Sequence, residues 1–225
     1  MKNNHTWVIC AYGESEFLEA CILSLQAQTL QSKIICYSST PLGSIKQLCQ
    51  KYGIPFYTKE GGGIGKDWNN ALTFVETSYA TIAHQDDYYE PTYLEAVMQK
   101  IEQSKDILIA YTDYFEEKNG VKIPANTNLK IKTLMLKTLN LMPSSRFWRN
   151  RVLAFGNPIS CPAVTYNLEA LRDFRFDEEM RVSLDWYAWY KISAYKGRFA
   201  YISEKLMCHR IHGESETTKT ISDNT

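Results

Sequence analysis

Short apolar runs alternate with segments of helical periodicity through the first half of this 225-residue chain. The runs have the length of buried strands, and between them apolar residues recur three and four positions apart, as on one face of a helix. Strands that alternate with helices are joined by right-handed crossovers, which make the strands parallel. We therefore predict an α/β fold with a mostly parallel central sheet and helices on both faces. The predicted strands are residues 6–12, 33–37, 54–57, 79–83 and 107–114.

The helix predicted after the second strand has a capping signal at its start. Ser44 is followed three positions later by Gln47, a spacing that fits a capping box. In such a box the serine side chain bonds a backbone N–H of the first turn. We therefore expect this helix to begin at Ser44.

The second half of the chain is less regular. Residues 131–141 have leucines at helical spacing, residues 156–162 are typical of a loop, and residues 184–195 form a helical pattern rich in Trp and Tyr. No internal repeat, low-complexity tract or linker interrupts the chain. We predict one domain that spans residues 1–225.

Two adjacent carboxylates, Asp86 and Asp87, follow closely after the apolar run at 79–83. Adjacent carboxylates repel each other, so a cation usually neutralises such a pair. Hard divalent ions such as Mg²⁺ take these oxygen ligands together with substrate phosphates, and ligands of open α/β sheets bind outside the carboxyl ends of the strands. The spacing by itself fits either a metal site or a solvated turn.

Charge and composition exclude several classes of protein. Lysine plus arginine equals aspartate plus glutamate at 25 each, which argues against a nucleic-acid partner. No apolar run approaches the length of a membrane span, and no apolar signal core follows the N-terminus. The six cysteines lie far apart without a Cys-x-x-Cys pair, which suits buried thiols in a reducing compartment. We expect a cytoplasmic protein.

Together, five segments in sequence order resemble the family 2 glycosyltransferases. Trp7–Glu14 is similar to the opening strand and nucleotide-binding turn of that family, and Ser24–Thr29 to the end of its first helix. His84–Asp87 corresponds to its Asp-x-Asp-Asp region, and Leu184–Trp186 to the segment with its catalytic base. His209–Ser215 resembles its late Arg-x-His segment.

The resemblance implies a GT-A fold, a single Rossmann-like domain in which residues 1–115 bind the nucleotide sugar. Residues 116–225 then bind the acceptor and supply the catalytic base. The implied activity is an inverting, metal-dependent transfer of a sugar from a nucleotide-diphosphate sugar. We expect this donor to be a UDP-sugar. The implied acceptor is a hydroxyl of a glycan or lipid-linked molecule in surface polysaccharide synthesis, and the implied cofactor is Mn²⁺ or Mg²⁺.

The resemblance also implies roles for individual residues. A divalent cation acts as a Lewis acid on the diphosphate leaving group, and a carboxylate takes the proton of the attacking hydroxyl. Asp185 is the expected base; a first-turn acid or helix N-cap is the alternative for it. The expected metal ligands are Asp86, Asp87 and His212; the donor contacts are Ala11, Tyr12, Glu14, Ser38, Lys66, Asn69 and Asp86; the acceptor contacts are Tyr88, Trp148 and Trp186.

The chain departs from the family pattern mainly on the nucleotide side. The stretch after the second predicted strand, Tyr37–Thr40, lacks the aspartate pair that the family uses for base and ribose. The Arg-Asn of the family becomes Trp68-Asn69, and its first metal-motif aspartate becomes His84. Lys66 would replace the missing arginine as a point charge on phosphate.

Other interpretations stay open. The glycine run at 60–67 lacks the spacing of a phosphate loop and favours a flexible turn near the donor. A sugar-phosphate nucleotidyltransferase shares the α/β sheet, and a non-catalytic module that binds sugars or nucleotide sugars would explain the altered nucleotide side.

A basic stretch with leucines between the charges suggests either of two surfaces. It fits an anionic lipid-linked acceptor or a peripheral contact with the inner face of a membrane, and it fits a plain solvated helix face. Its basic residues are Lys130, Lys132, Lys137, Arg146 and Arg149.

Overall fold

The computed structural model describes residues 4–212, and one mixed sheet runs through them. Its strands are β1 (His5–Cys10), β2 (Lys33–Tyr37), β3 (Phe56–Tyr57), β4 (Tyr79–His84), β5 (Tyr88–Tyr89), β6 (Ile107–Lys118), β7 (Val121–Lys122), β8 (Val164–Asn167) and β9 (Arg198–Ile211). The helices are α1 (Leu18–Gln26), α2 (Gly43–Lys51), α3 (Ile64–Leu72), α4 (Tyr93–Glu102), α5 (Thr127–Leu139), α6 (Arg146–Leu153) and α7 (Leu184–Ile192). The predicted α/β class is confirmed.

The strand order places the carboxyl ends of the first strands side by side. The sheet runs β3-β2-β1-β4-β8-β6-β9-β5, with β7 on β6. The first four strands of this order are parallel, and so are β6 and β9, whereas β8, β5 and β7 pair antiparallel with their neighbours. The loops after β1, β2 and β4 therefore meet at one edge, where ligands of open α/β sheets bind.

Helices cover both faces of the sheet, as predicted. Trp7 and Ile9 of β1 point to one face and pack in a cluster with Ile22 of α1. Val8 points to the opposite face and packs with Ala71 of α3. This alternation follows from the two-residue period of a strand, and burial of each large apolar side chain stabilises the fold by about 1.5–3 kcal/mol.

The predicted capping box at the start of α2 is wrong. The helix begins at Gly43, and Leu42 occupies the cap position with extended backbone and no side-chain hydrogen bond. Ser44 therefore lies inside the first turn, where its side chain cannot act as the cap. By contrast, α5 begins at Thr127, earlier than predicted, because the side chain of Asn126 accepts a hydrogen bond from the N–H of Leu129.

Arg149 corrects the interpretation of the basic stretch. Its side chain is buried, and its guanidinium donates hydrogen bonds to four backbone carbonyls, those of Pro143, Ser193, Tyr195 and Gly197, at 2.6–3.2 Å. Ser193, Tyr195 and Gly197 lie at the end of α7 and in the loop after it, and Pro143 lies just before α6, so Arg149 joins α6 to the end of α7. It belongs neither to a solvated face nor to an acceptor surface.

All six cysteines are free thiols, and five of them are buried, as the sequence predicts.

Within residues 4–212 no helix combines the length and apolar character that a membrane crossing requires.

Candidate active site

His84, the last residue of β4, forms a cluster with Asp86 and Asp87 of the turn that follows. Each offers one ligand atom, and these atoms all lie within 4.8 Å of one another. The N–H of Asp87 donates to the carbonyl of His84 at 3.2 Å and closes the turn. Because β4 pairs with β1 through Cys10 and His84, the cluster lies at the edge of the sheet where the loop after β1 begins.

Two buried atoms of the cluster have no hydrogen-bond partner in the described part of the chain. Asp87 is 1% exposed; its Oδ1 accepts a hydrogen bond from the backbone N–H of Arg210 at 3.0 Å, whereas Oδ2 is unpartnered. Oδ2 lies 3.9 Å from Nδ1 of His84, and Nε2 of that histidine is also unpartnered. Unsatisfied buried polar atoms are costly, and carboxylate oxygens are ligands that suit Mg²⁺ and Mn²⁺. These residues fit a divalent cation.

The pKa shifts in the cluster follow from burial and mutual charge. Burial and the charge of Asp86 raise the pKa of Asp87 well above its ordinary value. For Asp86, burial acts upward, but the nearby His84 and the hydrogen bond with His212 outweigh it and lower the pKa. Burial also lowers the pKa of His84 and favours its neutral imidazole, the form that binds metals. A cation would favour ionised Asp87.

The end of β9 brings a histidine and an arginine to the carboxylates. Nε2 of His212, a predicted metal ligand, lies 2.9 Å from Oδ2 of Asp86. Nη1 of Arg210 donates to the carbonyl of Asp86 at 3.1 Å. Residues 213–215 of the predicted segment lie outside the described residues. His209 contacts the ring of Tyr114 instead, and burial lowers its pKa to about 4.

Arg210 also packs between two aromatic rings. Its guanidinium lies 5.0 Å from the ring centre of Phe17 and 4.7 Å from that of Tyr88, and its Nε donates to Glu117 at 3.2 Å. The hydroxyl of Tyr88 donates to the same glutamate at 2.8 Å. This arrangement borders a cleft of about 300 Å³ that His212 also lines. Sequence reasoning missed the role of Arg210, since its aromatic partners lie far away in the chain.

Asp185 lies in the first turn of α7, in electrostatic reach of His84. Its Oδ2 accepts a hydrogen bond from the amide of Asn157 at 2.6 Å, and Oδ1 accepts one from the N–H of Trp186 at 2.8 Å. Burial raises the pKa of Asp185 above its ordinary value despite these hydrogen bonds. The N-cap of α7 is Ser183, so Asp185 is not the N-cap, but it is the acidic residue of the first turn, as the other form of the alternative predicts. Asn157 was not predicted, because no local pattern links it to α7.

The predicted donor contacts lie around the ends of β1 and β2. The side-chain amide of Gln85 makes two hydrogen bonds with the backbone of Tyr12. It accepts one from the N–H of Tyr12 at 3.2 Å and donates one to its carbonyl at 2.8 Å. The ring of Tyr12 is 63% exposed at this edge. Ala11 and Ser38 are buried beside it, and Glu14 is exposed on the same loop. These four predicted residues follow β1 and β2, which are neighbouring parallel strands.

The structure supplies a carboxylate where the local sequence has none. Asp67 of α3 reaches the end of β2, where its Oδ2 accepts a hydrogen bond from the hydroxyl of Ser39 at 2.6 Å. Its Oδ1 is buried and makes no hydrogen bond of good geometry among the described residues, although the hydroxyl of Tyr37 is near enough to interact with this carboxylate. A Cβ at Gly61 would lie 2.6 Å from Cβ of Ser39, so glycine leaves room here. Sequence reasoning missed Asp67 because its partner is 28 positions away.

Lys66 and Asn69 have different surroundings. The side chain of Lys66 lies over Gly62, where an added Cβ would be 3.4 Å from Nζ. The amide of Asn69 bonds both the N–H and the carbonyl of Phe176 at 2.9 and 3.0 Å, and donates to Glu178 at 2.9 Å. These bonds position α3 against the 176–178 loop, and a donor contact of Asn69 stays a prediction.

The predicted acceptor residues do not form one group. The indole N–H of Trp186 donates to the carbonyl of Leu153 at 2.8 Å, next to Asp185. Trp148 of α6 packs against α5, because its indole N–H donates to the carbonyl of Thr138 at 2.7 Å, and it lines a different cleft. Tyr88 is engaged by Arg210 and Glu117, as described above.

Comparison with solved structures confirms the predicted GT-A fold. S. aureus TarS 1-349 superposes with a TM-score of 0.72 at 18% identity, over 92% of this chain and 60% of that one. Its complex with UDP-GlcNAc gives 0.69 at 16% identity, over 95% and 60%. The mannosyltransferase PcManGT from Pyrobaculum calidifontis, in complex with GDP-Man and Mn²⁺, gives 0.72 at 12% identity, over 98% and 60%.

Sequence comparison gives the family. Glycosyltransferase GlyA of Streptococcus pneumoniae serotype 4 (strain ATCC BAA-334 / TIGR4) is 24% identical over 123 residues, which are 52% of this chain and 18% of that protein. The chain thus spans less than a fifth of this relative and about three fifths of the TarS 1-349 structure. Residues 6–164 match the model of glycosyl transferase family 2. The chain belongs to glycosyl transferase family 2.

Proposed function

We propose that this protein is a metal-dependent, inverting glycosyltransferase that moves a sugar from a nucleoside-diphosphate sugar to an acceptor hydroxyl. The observation that carries the proposal is the cluster of His84, Asp86 and Asp87, in which Oδ2 of Asp87 is buried and has no hydrogen-bond partner among the described residues. Asp185 lies in electrostatic reach of this cluster. The similar structures that contain UDP-GlcNAc, or GDP-Man with Mn²⁺, support a donor and a cation of these classes.

In this proposal His84, Asp86, Asp87 and His212 hold Mn²⁺ or Mg²⁺. When bound there, the cation neutralises charge on the diphosphate leaving group. Arg210 fixes the turn, because it bonds the Asp86 carbonyl through its side chain and Asp87 through its backbone. The turn therefore presents its carboxylates in one geometry before the donor arrives, which favours catalysis through preorganisation.

Asp185 is the proposed base. Its carboxylate is held by Asn157 and by the backbone of Trp186, and its raised pKa makes it a better proton acceptor than an exposed aspartate. It takes the proton from the acceptor hydroxyl as that oxygen attacks the anomeric carbon and the bond to the diphosphate breaks. A single displacement of this kind inverts the anomeric centre.

The donor nucleotide sits, in this proposal, between the ring of Tyr12 and the carboxylate of Asp67. A carboxylate oxygen accepts a hydrogen bond from the ring N–H that uracil carries at N3 and guanine at N1. Cytosine has no hydrogen at N3 and would have to donate from its exocyclic amine instead. We propose a UDP-sugar as the donor, with Lys66 near the phosphates. The proposed acceptor is a glycan or lipid-linked hydroxyl in surface polysaccharide synthesis, contacted by Trp186.

A second candidate is a module that binds nucleotide sugars without turnover. It is favoured by the engaged amide of Asn69 and by His84 in place of the first aspartate of the metal motif. The nucleotidyltransferase alternative is disfavoured, because residues 6–164 match the glycosyl transferase model.

Two measurements test the proposal. Calorimetric titration measures the binding of the nucleotide sugar, and an assay for released nucleoside diphosphate measures its turnover. We expect UDP-sugar binding that requires Mn²⁺ and is lost in Asp87→Ala. Asp185→Asn should retain donor binding but reduce turnover by about 10³-fold or more, the scale of losing a general base together with its charge. Tight binding by the wild type with no turnover on any glycan acceptor would support the binding module, and no binding would refute both.

A further inference from the structure

One segment of this chain has basic residues but no acidic ones. Residues 118–168 contain eight lysines and arginines and no aspartate or glutamate, although the whole chain has 25 of each sign. The rest of the chain therefore has a net acidic charge. Such a separation of charge creates a positive surface wherever the segment is exposed.

Helices α5 and α6 expose large apolar side chains within this segment. Leu134 of α5 is 64% exposed, Phe147 of α6 is 68% exposed and Phe155, just after α6, is 87% exposed. Leu134 and Phe155 line one cleft of about 250 Å³ between the two helices. Clustered apolar side chains on a surface indicate a site of interaction with a protein or a membrane.

Basic side chains lie among these apolar ones. Lys130, Leu134 and Lys137 are spaced four and three residues apart and share one face of α5. On α6, the guanidinium of Arg151 lies 5.1 Å from the ring centre of Phe147, and it lines the same cleft as Phe155. Among the described residues no ion pair neutralises these three basic side chains.

We propose that this surface docks the protein on an anionic lipid bilayer. The surface, here called the α5–α6 face, consists of Lys130, Leu134, Lys137, Phe147, Arg151 and Phe155. The apolar side chains enter the interface between headgroups and acyl chains, and the long basic side chains extend to the lipid phosphates. Anionic lipids complement the charge, and a bilayer accepts several exposed apolar side chains at once, which a hydrophilic polyanion does not. The inference does not depend on the proposed glycosyl transfer.

Sedimentation with lipid vesicles tests this proposal. We expect the full chain to sediment with vesicles of phosphatidylcholine and phosphatidylglycerol, but not with phosphatidylcholine alone. Binding should weaken as salt is added, because salt screens the attraction between exposed charges. Both Leu134→Ser/Phe155→Ser and Lys130→Gln/Lys137→Gln/Arg151→Gln should reduce the partition coefficient by about tenfold or more, since membrane docking uses apolar burial and charge together.

A matched control changes exposed residues outside the segment 118–168. Leu23→Ser/Lys46→Gln alters an exposed leucine of α1 and an exposed lysine of α2, and it should leave vesicle binding unchanged. All these side chains are exposed, and circular dichroism confirms that each variant is folded.

Three outcomes would overturn the proposal. The first is no sedimentation of the wild type with anionic vesicles. The second is binding that the charge variant loses and the apolar variant keeps, which indicates a simple polyanion surface. The third is a dimer in light scattering that Leu134→Ser/Phe155→Ser dissociates while vesicles do not bind, which makes a second copy the occupant.

Discussion

At the scale of single residues, the surroundings of the Asp67 carboxylate support its proposed contact with the nucleotide. One oxygen is held by Ser39, and the other is buried at the edge of the sheet where the loops after β1 and β2 meet, with no hydrogen bond of good geometry among the described residues. Leaving such an atom unsatisfied costs about 1–3 kcal/mol. A ligand group that donates a hydrogen bond there would recover that cost.

Asp67→Asn therefore tests the nucleobase contact. The new amide offers N–H donors beside a single oxygen acceptor, so it suits an acceptor such as N3 of cytosine better than the N–H of uracil. We expect UDP affinity to fall about 10-fold or more and CDP affinity to rise relative to it. Calorimetric titration of UDP, GDP and CDP in the presence of Mn²⁺ measures both changes.

Glu178→Gln is a suitable control for this variant, because Glu178 contacts α3 through Asn69 and not through Asp67. If Asp67→Asn left the preference between UDP and CDP unchanged, the carboxylate would have no part in reading the base.

At the scale of elements, α3 depends on close contact with the loop at 176–178. A Cβ added at Gly65 would lie 1.9 Å from the carbonyl oxygen of Asp177, and Asn69 bonds Phe176 one turn further on. The periodicity of α3 was readable from its apolar residues, but this contact was not. Its partner is more than 100 positions away, and local patterns carry no information on such pairs.

Gly65→Ala should destabilise the protein by about 1–3 kcal/mol or more, the scale of overpacking a filled space. The expected result is a lower midpoint in urea unfolding with an unchanged slope. Because α3 also holds Lys66 and Asp67, the nucleotide affinity of the folded variant should fall as well.

Gly43→Ala supplies the matched comparison, since Gly43 is also in a first helical turn but a Cβ there would meet nothing within 4 Å. Alanine in a helix is more favourable than glycine by about 0.5–1 kcal/mol, so this variant should be as stable as the wild type or more. Equal losses from the two substitutions would contradict the argument for Gly65.

At the scale of the whole molecule, His5 makes the stability of the sheet depend on pH. The ring is fully buried between β1 and β4, where its nitrogens lie 2.9 Å from the hydroxyls of Ser32 and Thr81. Burial lowers the pKa of His5 to about 3. An unfolded histidine has a pKa of about 6.5, so between these two values the unfolded chain binds a proton that the folded chain does not.

The free energy of unfolding should therefore fall as the pH decreases from about 6.5 to about 3, with a contribution from His5 of up to about 1.4 kcal/mol per pH unit. His5→Gln, which keeps hydrogen-bonding groups but does not titrate, should be less stable than the wild type at neutral pH. The difference should shrink as the pH falls. Urea unfolding between pH 7 and pH 4 measures it, and parallel curves for the two proteins would rule out this contribution.

The sequence by itself determined the α/β class, the order of the first strands and helices, and the position of Asp86 and Asp87 after β4. These features depend on hydrophobic period and on near neighbours, which the chain displays directly. The resemblance predicts the family, which the comparison confirms, and the roles of His212 and Asp185 stay predictions.

Only the tertiary structure decided which distant residues contact the predicted site residues. The backbone of Arg210 bonds Asp87 across 123 positions, Asn157 holds Asp185, and Asp67 supplies the carboxylate that is missing after β2. The structure also shows that Arg149 is buried, although the sequence predicted it on a basic surface. The physical reason is that these contacts depend on how the crossovers and the strand pairing bring distant parts of the chain together. A local sequence pattern describes only near neighbours and cannot predict such contacts.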